Sequence, residues 1–381
     1  MTLTVVCDVL GKENNGTTIA AMNLIRSMRA KGHTVRVVCP DEERRGEKDY
    51  YVVRTLGLGP LNGYLAKNGV LLAKPDRDVL RAALEGADAV HLITPFLLAM
   101  TAARLAHDMG LPMTAGFHCQ AENFTNHIFL MNSQRVNKLV YKVFDRQIYR
   151  YVDCIHYPTS FIAGVFETET GHPTTHRVIS NGVNSAFRHI RCEKPEEFRD
   201  KFVILFTGRY SKEKSHKVLI DAAALSKHSD EIQLVFAGCG PQEEKLKKRS
   251  EKLKNPPVFR FFSREDMVRV LNYADLYVHP AEIEIEAIAC LEAISCGLVP
   301  VISDSPRSAT RYFARDERNL FKCNDPQDLA DKIDWWIEHP EEREKEGAAY
   351  TGYARQFDFD RCMDEMERMI VENSEVCHAA R

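Results

Sequence analysis

Residues 201–214 read KFVILFTGRYSKEK, an apolar run that ends on Gly208 and opens at once onto two cations, Arg209 and Lys214. Val, Ile and Phe in an uninterrupted stretch suit a strand covered on both faces, as in a parallel sheet. Working outward, the same composition returns in QLVFAGCG (233–240), VFRFFS (258–263), LYVHP (276–280) and LVPVIS (298–303), with a segment of helical period at about 217–227. Upstream, TVVCDVL (4–10), TVRVVCP (34–40), AVHLIT (89–94) and PMTAGFH (112–118) keep the same rhythm around a helix at about 19–31. Alternation of strands and helices predicts βαβ units. Its restart after the polar stretch HIRCEKPEEFRDK (189–201) predicts two Rossmann-like, doubly wound α/β domains. The expected division is 1–185 and 186–360, joined near 185–200, with a C-terminal helix at 361–381 placed to pack back on the first domain.

A chain of 381 residues, 44% hydrophobic, exceeds the size at which one core usually splits in two. Lys and Arg total 51 against 54 for Asp and Glu, so the net charge of −3 gives no general attraction to nucleic acid and any anion site is local. The 11 Cys are odd in number and scattered, with no CxxC pair, which argues against a disulfide framework and a structural zinc. A reducing, cytoplasmic setting fits. Met1 leads straight into strand-like sequence with no basic leader, and no apolar run is long enough to cross a bilayer, so membrane contact is expected to be peripheral, at the inner face.

Doubly wound sheets hold ligands at the carboxyl ends of their strands, and the unusual residues lie there. The first strand is followed by GKENNGTT (11–18), whose Gly16 opens a helix with exposed amides. A Walker loop would need Lys where Thr17 stands, and the dinucleotide GxGxxG is missing. After the later strand, Arg209 supplies a fixed fork and Lys214 a mobile charge, the pair of groups that a departing nucleoside diphosphate needs. Gly238 and Gly240 in the GxGP stretch permit close approach of a ligand. In HPAEIEIEAIACLEAISCG (279–297), Glu284 follows a strand while Glu292 sits in an apolar, helical setting where a carboxylate requires a partner. Such an acid is suited to accept both hydroxyls of a ribose, and one at the mouth of a pocket to accept sugar hydroxyls.

Together TGRYSKEKSHKVLI, VFAGCGP and the Glu284 to Glu292 spacing ending in LEAISCGLVPVIS resemble the signature of family-4 retaining glycosyltransferases, which have the GT-B fold. The likeness extends to the Gly16 loop, to AKGHTVRVVCP, to His118 after PMTAGF and to the turn Asn181-Gly182-Val183. It implies that two Rossmann-like domains face a cleft and close on it through a hinge near 185–200. It also implies that Arg209 and Lys214 bind the donor pyrophosphate, Glu292 the ribose and Glu284 the donor sugar, with His118 near the transferred sugar and Gly16 near the phosphate or acceptor. Donor binding would therefore involve Gly16, Arg209, Lys214, Gly238, Gly240, Glu284 and Glu292, and catalysis His118, Arg209, Lys214 and Glu284. Family members usually carry small residues directly after the first acid, where this chain has Ile285, Glu286 and Ala287. Either the donor differs or the first acid shares its role with Glu282 or Glu286.

The resemblance implies front-face substitution with retention, needing no cofactor and no metal. Double displacement would need a second carboxylate set against the anomeric carbon, and the first half offers none. For the acceptor, RVNKLVYKVFDRQIYRYVD (135–153) spaces Arg135, Lys138, Lys142, Arg146 and Arg150 at steps of three or four, beside a mostly apolar face of Val136, Val140, Val143, Gln147 and Tyr151. A basic amphipathic helix suits anionic lipid headgroups, and an ordinary solvated helix is the competing reading. The opening Asn15-Gly16-Thr17-Thr18 also resembles bacterial enzymes that glucosylate diacylglycerol. The expected partners are thus a nucleotide sugar (UDP-glucose or UDP-galactose), a lipid or carbohydrate acceptor, and an anionic membrane through 135–151, with no nucleic acid. A soluble or polysaccharide acceptor, or a degenerate site that binds a nucleotide sugar without transfer, are the alternatives.

Overall fold

A computed structural model describes residues 1–8, 10, 16–57, 59, 72–126 and 130–379. The Gly11–Asn15 part of the first strand-end loop lies outside these. Two compact units are present, Met1–Asn181 with Arg361–Arg381, and Gly182–Asp360.

In the first unit, strands β1 (Thr2–Val6), β2 (Thr34–Cys39), β3 (Tyr50–Val52), β4 (Ala89–Leu92), β5 (Met113–Gly116), β6 (Cys154–Tyr157) and β7 (His176–Val178) form a sheet in the order β3-β2-β1-β4-β5-β6-β7. In the second, β8 (Phe202–Thr207), β9 (Ile232–Ala237), β10 (Val258–Arg260), β11 (Leu276–His279), β12 (Pro300–Ser303) and β13 (Leu320–Phe321) take the order β10-β9-β8-β11-β12-β13. Pairing is parallel throughout both, for example Val5 with Val37 and Ile204 with Leu234. Parallel strands need helical crossovers on the faces, which is why β4, β9 and β11 are buried at every position. In each sheet the winding reverses beside its first strand, so the switch points lie between β1 and β4 and between β8 and β11.

Helix starts are locally specified: the side chains of Asp76, Thr159, Ser263 and Asp325 accept the first backbone amides of their helices. The C-terminal helix Phe359–Ala379 buries Met363, Met366, Met369 and Ile370. Within the first unit it carries Glu367, which accepts from Lys31 at 2.9 Å and meets His33 at 2.7 Å, and Ser374, which donates to the Asp88 carbonyl at 3.0 Å. The apolar residues dominate this attachment, at about 1.5–3 kcal/mol each, since partly exposed ion pairs contribute about 1 kcal/mol or less.

The polar stretch 189–201, read as the join, belongs to the second unit. The Asn272 side chain accepts from Ile190 N at 2.7 Å and donates to the Arg188 carbonyl at 3.1 Å, and Lys194 reaches Asp275 at 2.6 Å. Where the chain enters and leaves that unit its backbone is paired, Val183 N to Phe357 O at 2.7 Å and Phe359 N to Val183 O at 3.1 Å. No described helix is long and apolar enough to cross a membrane.

Candidate functional site

At the β8/β11 switch point β8 runs through Gly208 into half-buried Arg209 and a 3-10 turn at Lys212–Lys214, while β11 ends on His279, five residues before Glu284. Lys214 Nζ is paired directly with Glu284 Oε1. His279 Nε2 lies 3.2 Å from the same oxygen, and the Tyr277 hydroxyl 3.2 Å from His279 Nδ1. Burial alone would raise the Glu284 pKa, but the Lys214 charge and His279 bring it down to about 2. Two residues that sequence reasoning gave to different parts of one ligand are thus in contact, 70 positions apart in the chain.

The neighbouring acids are committed differently. Glu282 receives Arg307 Nη2 and Asn324 Nδ2 at 2.7 and 2.8 Å, so its carboxylate is already occupied within the loop. Glu286 is buried, and Ala287 adopts φ 60°, a left-handed conformation that disfavours any residue with a Cβ. This is the strained backbone of the departure noted in the sequence, and it delivers the chain into helix Ile288–Ser295. On that helix burial raises the Glu292 pKa to about 7, with Arg264 opposing. Among the described residues nothing donates a hydrogen bond to Glu292.

Gly238 and Gly240 make room for a backbone contact. A Cβ at Gly238 would lie 2.1 Å from Gly208 O, and one at Gly240 2.7 Å from both Tyr210 N and Tyr210 O. What approaches these glycines is the loop after β8, tied by Gly208 N to Ala237 O at 2.9 Å and Tyr210 N to Cys239 O at 3.0 Å. Their small size therefore locks the Arg209 loop in place.

In the first unit His118 follows β5. A Cβ at Gly116 would fall 2.5 Å from His118 Nε2, so the ring lies in the notch that a missing side chain leaves. It meets His156 of β6 edge-on at 5.4 Å. Burial, then the nearby His156 and His91, hold His118 well below the usual imidazole range. His156 Nε2 is 2.6 Å from the Ile179 carbonyl and His91 Nδ1 2.8 Å from Thr114 Oγ1. Gly16 is exposed at the start of helix Gly16–Ala30, whose Thr17 hydroxyl donates to the His118 carbonyl at 3.5 Å. Sequence reasoning missed Asp8, at the β1/β4 switch point. It accepts Leu98 N at 2.8 Å, Ala99 N at 3.2 Å and the Thr94 hydroxyl at 3.3 Å, capping helix Leu97–Asp108 in place of Phe96. It also missed His156 and His279; the one available signal for His279 was a histidine in the otherwise apolar LYVHP run.

Helix Gln134–Phe144 buries Asn137, Tyr141 and Phe144. Arg135, Lys138, Lys142, Arg146 and Arg150 are exposed. Of these, Arg150 pairs with Asp145 at 2.6 Å. The apolar residues among them are Leu139, 62% exposed, and Val143, 41%, whereas Val136, Val140 and Tyr151 are half-buried. The expected apolar face is therefore corrected to Leu139 and Val143, because the helix turns the Asn137–Tyr141 side inward.

Residues 14–187 match the family described as Glycosyltransferase Family 4, and residues 190–351 Glycosyl transferases group 1. The chain is 25% identical over 230 residues to an alpha-monoglucosyldiacylglycerol synthase of Streptococcus pneumoniae, covering 57% of this chain and 51% of the relative. It spans 51–75% of the length of the curated relatives it matches. Among solved structures, Anabaena HepE in complex with UDP-glucose superposes with a TM-score of 0.76 at 18% identity, over 98% of this chain and all of that one. The catalytic domain of cholesterol-alpha-glucosyltransferase from Helicobacter pylori is 49% identical over 41% of this chain and 98% of its own, with a TM-score of 0.40.

Proposed function

Since the chain belongs to the group 1, family-4 glycosyltransferases of GT-B fold, we propose that it is a retaining hexosyltransferase that moves a hexose from UDP-glucose or UDP-galactose to a hydroxyl of a membrane glycerolipid, without a metal ion. The observation that carries the donor half is the Lys214–Glu284 contact at the β8/β11 switch point, with Glu292 lacking a described donor on the helix that follows. A nucleoside diphosphate sugar brings what these groups lack. Its ribose hydroxyls donate to Glu292, its sugar hydroxyls to Glu284, and its diphosphate takes the charge of Arg209 and Lys214, with Gly16 near the phosphate or acceptor. Lys214 has three N–H donors, so it keeps Glu284 Oε1 while its other donors reach the diphosphate, which limits the desolvation cost of recruiting it.

Transfer proceeds as the glycosidic bond to the diphosphate breaks and negative charge grows on the departing oxygen, where Arg209 and Lys214 stabilise it. That oxygen takes the proton of the incoming hydroxyl on the same face, so configuration is retained. His118, held neutral by burial, serves as a hydrogen-bonding group near the transferred sugar. For the acceptor, support comes from the diacylglycerol-linked relative and from the exposed cations around Leu139 and Val143, which suit an anionic lipid surface. The test is incubation with UDP-glucose and UDP-galactose against diacylglycerol and soluble sugar acceptors, read by mass spectrometry. A glycolipid product with retained configuration is expected. Product only on soluble acceptors rejects the lipid reading, and nucleotide binding without any product rejects transferase activity.

A further inference from the structure

His279 closes β11 and is 1% exposed. Its neighbours determine which nitrogen carries the hydrogen. Nε2 faces Glu284 Oε1 at 3.2 Å, and an ionised carboxylate only accepts, so Nε2–H is the donor. In the neutral ring Nδ1 is then bare, and the Tyr277 hydroxyl, 3.2 Å away, donates to it. A one-way chain results, from Tyr277 to His279 to Glu284. Phe206 stands edge-on to the imidazole at 5.4 Å and the Tyr277 ring lies 5.9 Å from it, which restrict its rotation.

The charged and titratable groups around this chain come from each packed element. Lys214 on the turn after β8 shares Glu284 Oε1 with the imidazole. His216, on the next helix, is kept neutral by burial and by Lys214 and His279. Cys290 and Glu292 of helix Ile288–Ser295 act on Tyr277, with burial the larger influence. For His279 itself burial outweighs the pull of Glu284 and leaves the ring below its ordinary value, so the neutral tautomer persists at neutral pH.

We infer that His279 is a positioning residue for the donor sugar: together with Lys214 it occupies Glu284 Oε1, fixing the carboxylate plane so that Oε2 is the oxygen presented to a sugar hydroxyl. Among the described residues no donor reaches Oε2. The inference rests on the reading of Glu284 as the sugar acceptor. Tyr277 acts one step further back, by fixing the tautomer.

Calorimetry on the full chain, with UDP and UDP-glucose and in parallel with GDP and GDP-mannose, separates the sugar contribution from that of the nucleotide. His279→Leu should lower the affinity for the nucleotide sugar about tenfold relative to the bare nucleotide, the loss expected for one charge-assisted hydrogen bond. Binding of the bare nucleotide should be unchanged, which also reports an intact fold. His279→Gln keeps an N–H for Glu284 and should recover most of the loss. Tyr277→Phe should give a smaller loss of the same kind. In a Glu284→Gln background, His279→Leu should add nothing. An equal loss for nucleotide and nucleotide sugar, or no change in either His279→Leu or Tyr277→Phe, overturns the positioning role. Should His279→Leu fail to fold, an unchanged ratio in both His279→Gln and Glu284→Gln refutes the Glu284 arm on which it depends. A parent chain that binds none of the four ligands removes the donor reading, and this inference with it.

Discussion

Gly238 and Gly16 read alike in the sequence, as glycines facing a ligand, yet the structure predicts opposite outcomes when each gains a methyl group. A Cβ at Gly238 would sit 2.1 Å from Gly208 O and 3.0 Å from Gly208 C, roughly 1 Å or more inside a comfortable contact for the first of these. Both are main-chain atoms, so no side chain can swing away. Relief requires the loop after β8 to move, straining Gly208 N to Ala237 O and Gly238 N to Arg260 O, each 2.9 Å. Losing those two bonds costs about 1 kcal/mol each, overpacking adds about 1–3 kcal/mol, and stiffening of the unfolded chain returns about 0.4–1 kcal/mol. Gly238→Ala should therefore lose about 3 kcal/mol. Among the described residues nothing lies within 4 Å of the Gly16 Cβ position, so Gly16→Ala should be neutral or gain up to about 1 kcal/mol. The assay is urea unfolding. The chain has 2 Trp, Trp335 and Trp336, both on helix Pro326–Glu338 of the second unit, so their fluorescence reports on that unit alone. Circular dichroism follows the rest. A Gly238→Ala transition within about 1 kcal/mol of the parent would refute the claim that these glycines serve backbone contact.

Ala287→Gly should stabilise the second unit by about 0.5–1 kcal/mol in the same fluorescence assay, since relief of left-handed strain exceeds the added chain entropy. Gly116→Ala should displace the His118 ring from its notch and lower turnover at least about tenfold while the tryptophan transition stays in place; undiminished turnover would disconnect His118 from catalysis. Nucleotide binding should weaken as pH falls: the Glu292 pKa is raised to about 7 in the free chain, the ribose is bound by the ionised form, and affinity present above that value is lost below it, by about tenfold per pH unit. Glu292→Gln should be weak at every pH, and a parent profile flat between pH 5.5 and 8, an interval spanning roughly one unit or more on each side of that pKa, would move the ribose elsewhere. Changing Arg135, Lys138, Lys142 and Arg146 to Gln should remove roughly 4 kcal/mol of attraction to anionic vesicles at low salt, measured by co-sedimentation, and equal sedimentation of parent and variant would reject this face.

The strands legible in the sequence were those that run apolar because helices cover both faces, β8, β9 and β11 above all. The short β3, β6 and β7 were not, and the reason is physical. Their sequences YYV, CIHY and HRV carry polar or aromatic residues that do not read as a buried run, and β3 and β7 are edge strands with only one paired side. His156 was overlooked with β6. On helix Gln134–Phe144 the periodicity was real, but the inward face was misjudged. Asn137 is a core residue there because Met131 O accepts its amide at 2.9 Å and the Thr125 hydroxyl donates to its side-chain oxygen at 2.7 Å. Hydropathy places such a residue outside, and only the tertiary hydrogen bonds bring it in.

Comparison of the two switch points shows what residue type and spacing leave undetermined. Each has a buried carboxylate just beyond a central strand, Asp8 after β1 and Glu284 after β11. Asp8 is satisfied by two amides and a hydroxyl. Burial nonetheless pushes its pKa up to about 7, and among the described residues no cation is among the main groups acting on it. Among the described residues its bonds are all to the helix and loop that it caps, which is a structural commitment. Glu284 is held by Lys214 and His279 on one oxygen, and burial is outweighed until its pKa falls to about 2. One carboxylate is consumed by the fold, and the other is kept charged by side-chain donors gathered on one oxygen, which leave its second oxygen for a ligand. That difference depends on which partners the topology brings across from other strands. Both acids stand beside apolar runs in the sequence, and only the identity of their partners separates a cap from a site.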